Sequence, residues 1–185
     1  MSSPLEALRR VITGFDAGGK SVIILDGPPS SVIGDLASGG LFEIWEDAAS
    51  GVLDPNASDD LGAKTPVLGP RKGNVQVRWF CVTPTPSGVP KDQLDAGARA
   101  RFAQMGGAEH IVDQTRHQAM HTTHTIDVIC LLQGEVSLIL DGAETRLKPG
   151  QVVIQRGTNH AWEAHDGPAL LLAVLIDREL ADPSR

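Results

Sequence analysis

The chain has 185 residues, enough for one compact domain but too few for two of ordinary size. Hydrophobic residues make up 41% and charged residues 21%, a balance typical of globular proteins rather than disordered or fibrous ones. The formal net charge of −7 disfavours binding to nucleic acid, whose phosphates are recognised mainly by Lys and Arg. No apolar run approaches the roughly 20 residues of a membrane span, and the first residues do not resemble a secretion signal. We therefore expect a cytoplasmic protein.

The first predicted element is an N-terminal helix. Four apolar residues recur at the spacing of one helix face: Leu5, Leu8, Ile12 and Phe15. The preceding Ser-Pro sequence is typical of a helix start. Short strands are predicted next at 22–25 and 41–46.

The middle of the chain predicts one more strand and a second short helix. Residues 74–82 alternate between two faces, with Gln76, Arg78 and Phe80 on one of them. After a Pro-rich turn, apolar residues again recur at helical spacing: Leu94, Ala98, Phe102 and Met105.

From Thr125 onward the pattern is almost entirely that of β structure. Short apolar strands alternate with glycine turns, and Asp141-Gly142 is a strong hairpin signal. The predicted strands are 125–132, 135–140, 145–147, 152–154, 161–163 and 169–176. Such regular spacing indicates a mainly β fold, either an antiparallel sandwich or a small barrel.

Histidines are concentrated in this half of the chain. His121, Thr123 and Asp127 are separated by even numbers of residues, so on an extended strand they share one face, whereas His124 lies on the other. His160 follows a glycine turn further along the chain, and Trp162 shares its face. Because imidazole is both a common metal ligand and an acid or base near neutral pH, His121 and His160 are the first candidate site residues.

The order and spacing of these residues resemble the two motifs of the cupin superfamily. In the first motif Gly134 lies seven residues after Asp127, which stands at the family's Glu position, while His121 and Thr123 take the two His positions. The second motif is matched by residues 149–160 and ends at His160. The match covers 120–176, about a third of the chain, and is closest to single-domain conserved-barrel cupins. The resemblance implies a jelly-roll barrel.

The resemblance also implies a divalent metal such as Fe, Mn, Ni or Zn in the barrel. Two features depart from the family's three His and one Glu, because Thr123 replaces a His and Asp127 is one methylene shorter than Glu. His121, His160 and Asp127 could still form a two-His, one-carboxylate set, and they are the candidate catalytic residues and metal ligands. The alternative is a pocket without metal in which the same residues bind a small molecule by hydrogen bonds.

Four further residues near the motifs are candidate substrate contacts. Thr123 lies on the predicted inner face, and Gln155 follows an apolar strand into the barrel mouth. Arg156 could hold an anionic group through a forked hydrogen bond, and Trp162 could form an aromatic wall. Arg156 is equally consistent with a surface turn, and Trp162 with core packing.

These observations predict a single barrel at 41–178, preceded by a helix and extension at 1–40 and followed by a tail at 179–185. Three functions stay open: a metal-dependent enzyme on a small metabolite (oxygenase, isomerase, decarboxylase or lyase), a metal-free enzyme or binding module, and a regulatory barrel without chemistry. We expect the first. The resemblance further implies a homodimer, and the predicted N-terminal helix offers an apolar stripe that needs covering.

Overall fold

A computed structural model describes residues 8–55 and 59–181. The strands are β1 Arg10–Phe15, β2 Ser21–Gly27, β3 Ser31–Asp35, β4 Gly39–Ala48, β5 Asn74–Val82, β6 Thr125–Leu140, β7 Glu144–Leu147, β8 Val152–Arg156 and β9 His160–Asp177. One α-helix, α1, spans Lys91–Gln104, and a 3-10 helix spans Ala108–His110. Among these residues no helix is both long and apolar enough to cross a membrane. The predicted mainly β fold is confirmed.

One antiparallel sheet of seven strands forms the body of the protein. Its order is β3-β4-β5-β9-β6-β7, and β8 pairs with the first half of β6 on the same side as β7. The two longest strands, β6 and β9, pair along their whole length, with register shifts between Leu131 and Glu135. Gly134 lies in this irregular stretch with a φ of 85°, a conformation that favours glycine. The bend gives each long strand two halves, so that the sheet folds over a central cavity.

The hydrophobic core lies between the two halves of the folded sheet. Direct partners across an antiparallel ladder share one face, so Arg78, Ala173 and Ile129 form an inward row across β5, β9 and β6. The core cluster includes Ile129, Leu131, Val136, Leu138, Trp162, Leu171 and Ala173. The inward side chains therefore both pack the core and line the cavity.

The opposite, outward face of the same strands is apolar as well. Val128 of β6 lies between Ile154 of β8 and Val174 of β9, and Val174 lies beside Val77 of β5. Val128 is 39% exposed, and Val152 and Ile154 are each 53% exposed. We call Val77, Val128, Val152, Ile154 and Val174 the outer apolar face.

The predicted N-terminal helix is wrong where the structure describes it. Residues 10–15 form β1, which pairs with β2 in a separate two-stranded sheet. The strand is held by Arg10, which donates hydrogen bonds to the carbonyls of Pro28 and Ile44 and pairs with Asp60. Leu5 lies outside the described residues. The main sheet begins at Ser31, ahead of the predicted start at 41.

The second predicted helix is confirmed as α1. Ala98 and Phe102 are its buried residues, so one side of the helix packs on the barrel while the other faces solvent. The helix ends at Gln104, and Gly106 follows with a φ of 62°. After this stop the chain continues through the 3-10 helix to residues 117–119, which line a cavity.

Candidate functional site

A cavity of about 640 Å³ lies between the inner face of the sheet, α1 and two loops. The loops contribute residues 83–86 and 117–119. The apolar walls include Leu41, Phe80, Phe102, Ile129, Trp162 and Leu175. The polar lining includes Arg78, His121, Thr123, Asp127 and His160. A mostly apolar pocket with a few converging polar groups is typical of small-molecule sites.

His121 and His160 form the centre of the polar lining. Their backbones are joined by two hydrogen bonds, because each N–H donates to the other residue's carbonyl at 2.9 Å. This pairing puts both side chains on one face, and the ring centroids are 4.3 Å apart. Phe102 of α1 contacts the His121 ring edge-on, with 4.9 Å between the ring centroids. Trp162 is nearly perpendicular to the His160 ring, with 6.1 Å between the centroids.

Both imidazoles are held in one orientation by backbone carbonyls. Nδ1 of His121 lies 2.9 Å from the Ala119 carbonyl, and Nδ1 of His160 lies 3.0 Å from the Thr158 carbonyl. Since a carbonyl only accepts, Nδ1 carries the proton in each ring. Burial lowers the pKa of His121 to about 3 and that of His160 to about 4. At neutral pH each ring is therefore uncharged and offers Nε2 as an acceptor.

Asp127 is the candidate acid or base of the cavity. Its side chain is buried, and its Oδ1 has no hydrogen-bond partner among the described residues. Burial raises its pKa to about 6, although a hydrogen bond with Thr125 and the positive charge of Arg78 act in the opposite direction. A carboxyl group with this pKa exchanges its proton near neutral pH.

Arg78 is a cavity residue whose inward position the alternation left open. Its guanidinium pairs with Glu43 at 3.0 Å and donates to the carbonyls of Val67 and Leu68. Both side chains of the pair are nearly inaccessible to solvent, at 3% and 4%. The sequence pattern places Arg78 with Gln76 and Phe80 on one face of β5. A face that carries polar residues more often faces solvent. Here that face points inward.

A hydrogen-bond network centred on Glu163 of β9 joins the two cavity-lining loops to the sheet. Glu163 accepts from the Thr85 backbone N–H at 2.7 Å and from the Thr85 hydroxyl at 2.6 Å. His117 lies 2.9 Å from the same carboxylate, and the Gln118 side chain donates to the Thr85 hydroxyl at 2.7 Å. We call these four residues the rim network. It ties both loops to the barrel wall.

The structure brings together most of the residues that the sequence predicted for the site. His121, His160, Asp127, Thr123 and Trp162 all line the cavity. The Thr123 hydroxyl is paired with that of Thr125 at 2.7 Å. His124, which the alternation put on the opposite face, is exposed and lies outside this lining.

Two predicted substrate contacts do not reach the cavity. Gln155 lies on the inward side of β8 and is buried, but its side-chain amide is turned to the carbonyl and hydroxyl of Thr158. Arg156 is the next residue on the strand, so it points outward and is exposed. The prediction that both contact substrate in this cavity is corrected accordingly.

The predicted metal ligands do not form a metal centre in this arrangement. In 8–55 and 59–181, no three His, Cys, Asp or Glu side chains lie together in a group that could hold an ion. His121 and His160 are adjacent, but Asp127 pairs with Gln155 and Leu175 at another part of the wall. Two imidazoles fall short of the three protein ligands of ordinary catalytic metal sites. His121, His160 and Asp127 are therefore not placed to bind one metal ion together, contrary to the prediction from the sequence.

Comparisons with known proteins identify relatives that span most of the chain. No family model matches it. It is 31% identical over 166 residues to phomopsin biosynthesis cluster protein C' of Diaporthe leptostromiformis, a match covering 87% of this chain and 72% of that protein. Phomopsin biosynthesis cluster protein D of the same fungus is 31% identical over 167 residues, with the same coverage of both chains.

Similar solved structures include a cupin 2 conserved barrel domain protein from Salinispora arenicola CNS-205. It is 19% identical and covers 56% of this chain and 63% of its own, with a TM-score of 0.35. A putative ethanolamine utilization protein from Salmonella typhimurium LT2 is 12% identical and covers 92% of this chain and 97% of its own, with a TM-score of 0.41. The chain belongs to the family of the phomopsin biosynthesis cluster proteins C' and D.

Proposed function

We propose that the protein is a small-molecule enzyme whose substrate lies in the barrel cavity against His121 and His160. The observation that carries the proposal is the orientation of the two rings, because Nδ1 of each is bound to a carbonyl and Nε2 is left for a ligand. Two neutral acceptors side by side suit a substrate that donates hydrogen bonds, such as one with hydroxyl or N–H groups.

Asp127 is the proposed acid–base residue of the reaction. Its pKa of about 6 lets the carboxylate take a proton from the substrate and return it to another atom. Such a step needs no oxidant, so of the reactions open to a cupin we favour isomerisation or elimination. His121 and His160 would bind and orient the substrate, while Phe80 and Trp162 would exclude water.

The relatives support a role in small-molecule metabolism. Phomopsin cluster proteins C' and D are both named for a biosynthesis cluster. Oryzines biosynthesis cluster protein J of Aspergillus oryzae (strain ATCC 42149 / RIB 40) is also named for one and is 49% identical over 43 residues, or 23% of this chain. We extend that role to this protein.

A ligand screen with cavity variants tests the proposal. Hydroxylated and carboxylated aromatic compounds would be screened by ligand-detected NMR, and bound compounds would be incubated with the protein and followed by mass spectrometry. We expect His160→Ala to weaken binding, Asp127→Asn to bind without turnover, and the exposed His124→Ala to behave as wild type. Wild-type affinity in His160→Ala would contradict the proposal.

The same preparation tests the metal alternative. Elemental analysis of untagged protein is expected to show no stoichiometric Fe, Mn, Ni or Zn, and ligand binding should be unaffected by EDTA. One metal ion per chain that is lost in both His121→Ala and His160→Ala would overturn the metal-free mechanism and favour a centre completed by water or substrate.

We also propose that the protein is a homodimer that associates through the outer apolar face. Val128, Val152 and Ile154 are exposed on neighbouring strands. Exposed contiguous apolar surface of this kind marks interaction sites. A second copy covers this face with its own identical apolar face. Because a two-fold axis relates the two copies, each face is buried in the dimer and no further chains are added.

A further inference from the structure

Two buried polar atoms of cavity-lining residues have no hydrogen-bond partner among the described residues. They are the Nε–H donor of Arg78 and the acceptor Oδ1 of Asp127. Both residues line the cavity, and each is only 2% exposed. Leaving such groups unpaired costs about 1–3 kcal/mol each. A buried donor and a buried acceptor in one cavity therefore call for a group that satisfies both.

The sheet register puts both side chains on the inward face, in neighbouring rows. Arg78 pairs with Ala173 of β9, and Asp127 pairs with Leu175 of the same strand, two residues along. The methyl side chain of Ala173 leaves room between them, and it also lines the cavity. The two residues are close enough to influence each other's pKa.

The charges around Arg78 and Asp127 favour a neutral ligand group at this position. Glu43 and Asp127 are two acids against the single guanidinium of Arg78, and Glu43 already occupies one edge of it. Burial raises the pKa of both carboxyl groups. An added carboxylate would face this acidic pair with only Arg78 to balance it. A hydroxyl instead accepts from a donor and donates to an acceptor without adding charge.

We propose that Arg78 Nε and Asp127 Oδ1 form an inner subsite that binds a hydroxyl group of the ligand. This subsite rests on the proposed function, and it selects neutral, hydroxyl-bearing ligands over their carboxylate analogues. The hydroxyl accepts a hydrogen bond from Arg78 and donates one to Asp127, while the apolar remainder of the ligand lies against Phe80 and Ile129.

Three probes of similar size separate the contributions of a hydroxyl group, an apolar ring and a carboxylate to binding. They are benzyl alcohol, toluene and sodium benzoate, each titrated by ligand-detected NMR at pH 7.5. We expect benzyl alcohol to bind about 5-fold or more tighter than toluene, the ratio that one net hydrogen bond of about 1 kcal/mol supplies. Benzoate should bind more weakly than benzyl alcohol. Asp127→Val should remove the preference for the alcohol while retaining toluene, and the exposed His124→Ala, at a residue outside the cavity lining, should keep it.

A further comparison separates this subsite from the His pair. The ratio of alcohol to toluene affinity should persist in His160→Ala and disappear in Asp127→Val. The reverse pattern would place the hydroxyl on His160 and overturn the inference. Equal wild-type affinities would also overturn it, leaving a buried water as the occupant, while the proposed cavity site would stand. If no probe binds the wild type, both proposals fail. A wild-type ratio near one overturns the inference even if a variant does not fold.

Discussion

His121 and His160 are joined through their backbones rather than through their side chains. Each N–H donates to the other's carbonyl at 2.9 Å, while each Nδ1 is bound to a carbonyl of its own neighbourhood, that of Ala119 or Thr158. The distance between the two rings is therefore set by strand pairing. Changes to nearby apolar side chains should alter the shape of the cavity before they separate these rings.

The His pair should make the protein sensitive to acid. Burial lowers the pKa of His160 in the folded protein from 6.5 to about 4. The unfolded chain therefore binds more protons than the folded protein as the pH falls from 6.5 to about 4. The free energy of unfolding should fall accordingly, by about 3 kcal/mol for a shift of this size. Urea unfolding between pH 4 and pH 7.5 should show a shallower loss for His160→Asn than for wild type, whereas the exposed His124→Asn should retain the wild-type slope. Parallel curves for all three proteins would contradict this assignment.

Asp127 should act in the opposite direction. Its folded-state pKa is raised from 3.8 to about 6, so the folded protein binds the extra proton and loses stability as the pH rises from about 4 to 6. Asp127→Asn removes this loss. Relative to wild type, the variant should gain up to about 3 kcal/mol in free energy of unfolding across that interval. A constant difference between the two proteins from pH 4 to pH 7 would show that Asp127 titrates normally.

Gly134 should tolerate no side chain. Its φ is 85°, and a Cβ at this position would lie 2.9 Å from the Cα and Cβ of Ala169. We expect Gly134→Ala to cost about 2 kcal/mol or more, because left-handed strain alone costs about 1–2 kcal/mol. Gly142→Ala is the matched control, since a Cβ there meets nothing within 4 Å. Equal melting temperatures for the two variants would argue against the bend in β6.

Thr85→Val should loosen the mouth of the cavity. The substitution keeps the side-chain shape but removes the hydroxyl that donates to Glu163 and accepts from Gln118. Hydrogen exchange should become faster in residues 83–90 and 117–119, with little change in β6. The exposed Thr145→Val serves as a control. Unchanged exchange in both loops would mean that the rim network does not restrain them.

Ile154→Lys should separate the proposed dimer. Ile154 is 53% exposed on the outer apolar face, so a charge there would be buried only on association. Light scattering at micromolar concentration should give the mass of a dimer for wild type and of a monomer for the variant. Val112→Lys, at a 61% exposed residue away from this face, should remain dimeric. A wild-type monomer would reject the proposal.

The C-terminal half of the barrel was the more predictable part of the fold. Long β-branched runs and glycine turns predicted the strands around β6 and β9, and motif spacing selected His121 and His160. The N-terminal prediction failed because apolar spacing over 5–15 suits a helix face, whereas the described segment 10–15 pairs with β2 in a hairpin. Local spacing contains no information about such a partner.

Side-chain direction limited prediction of the site. Alternation along β8 puts Gln155 and Arg156 on opposite faces, but it does not show that the Gln155 amide turns to Thr158 rather than to the cavity. It likewise groups Arg78 with Phe80 without showing that this face is the inner one. Both facts depend on how the sheet folds over and on which partner each polar group finds there.

The continuity of β6 and β9 determines how a ligand reaches the cavity. Each strand runs unbroken through both halves of the folded sheet, and the two pair from Thr125 with Asp177 to Leu140 with His160. The two strands cannot separate without breaking ladder hydrogen bonds along this length, so this wall of the cavity is rigid. Entry and release therefore fall to α1 and the loops held by the rim network. Dissociation rates should accordingly follow the opening of that cover rather than global unfolding.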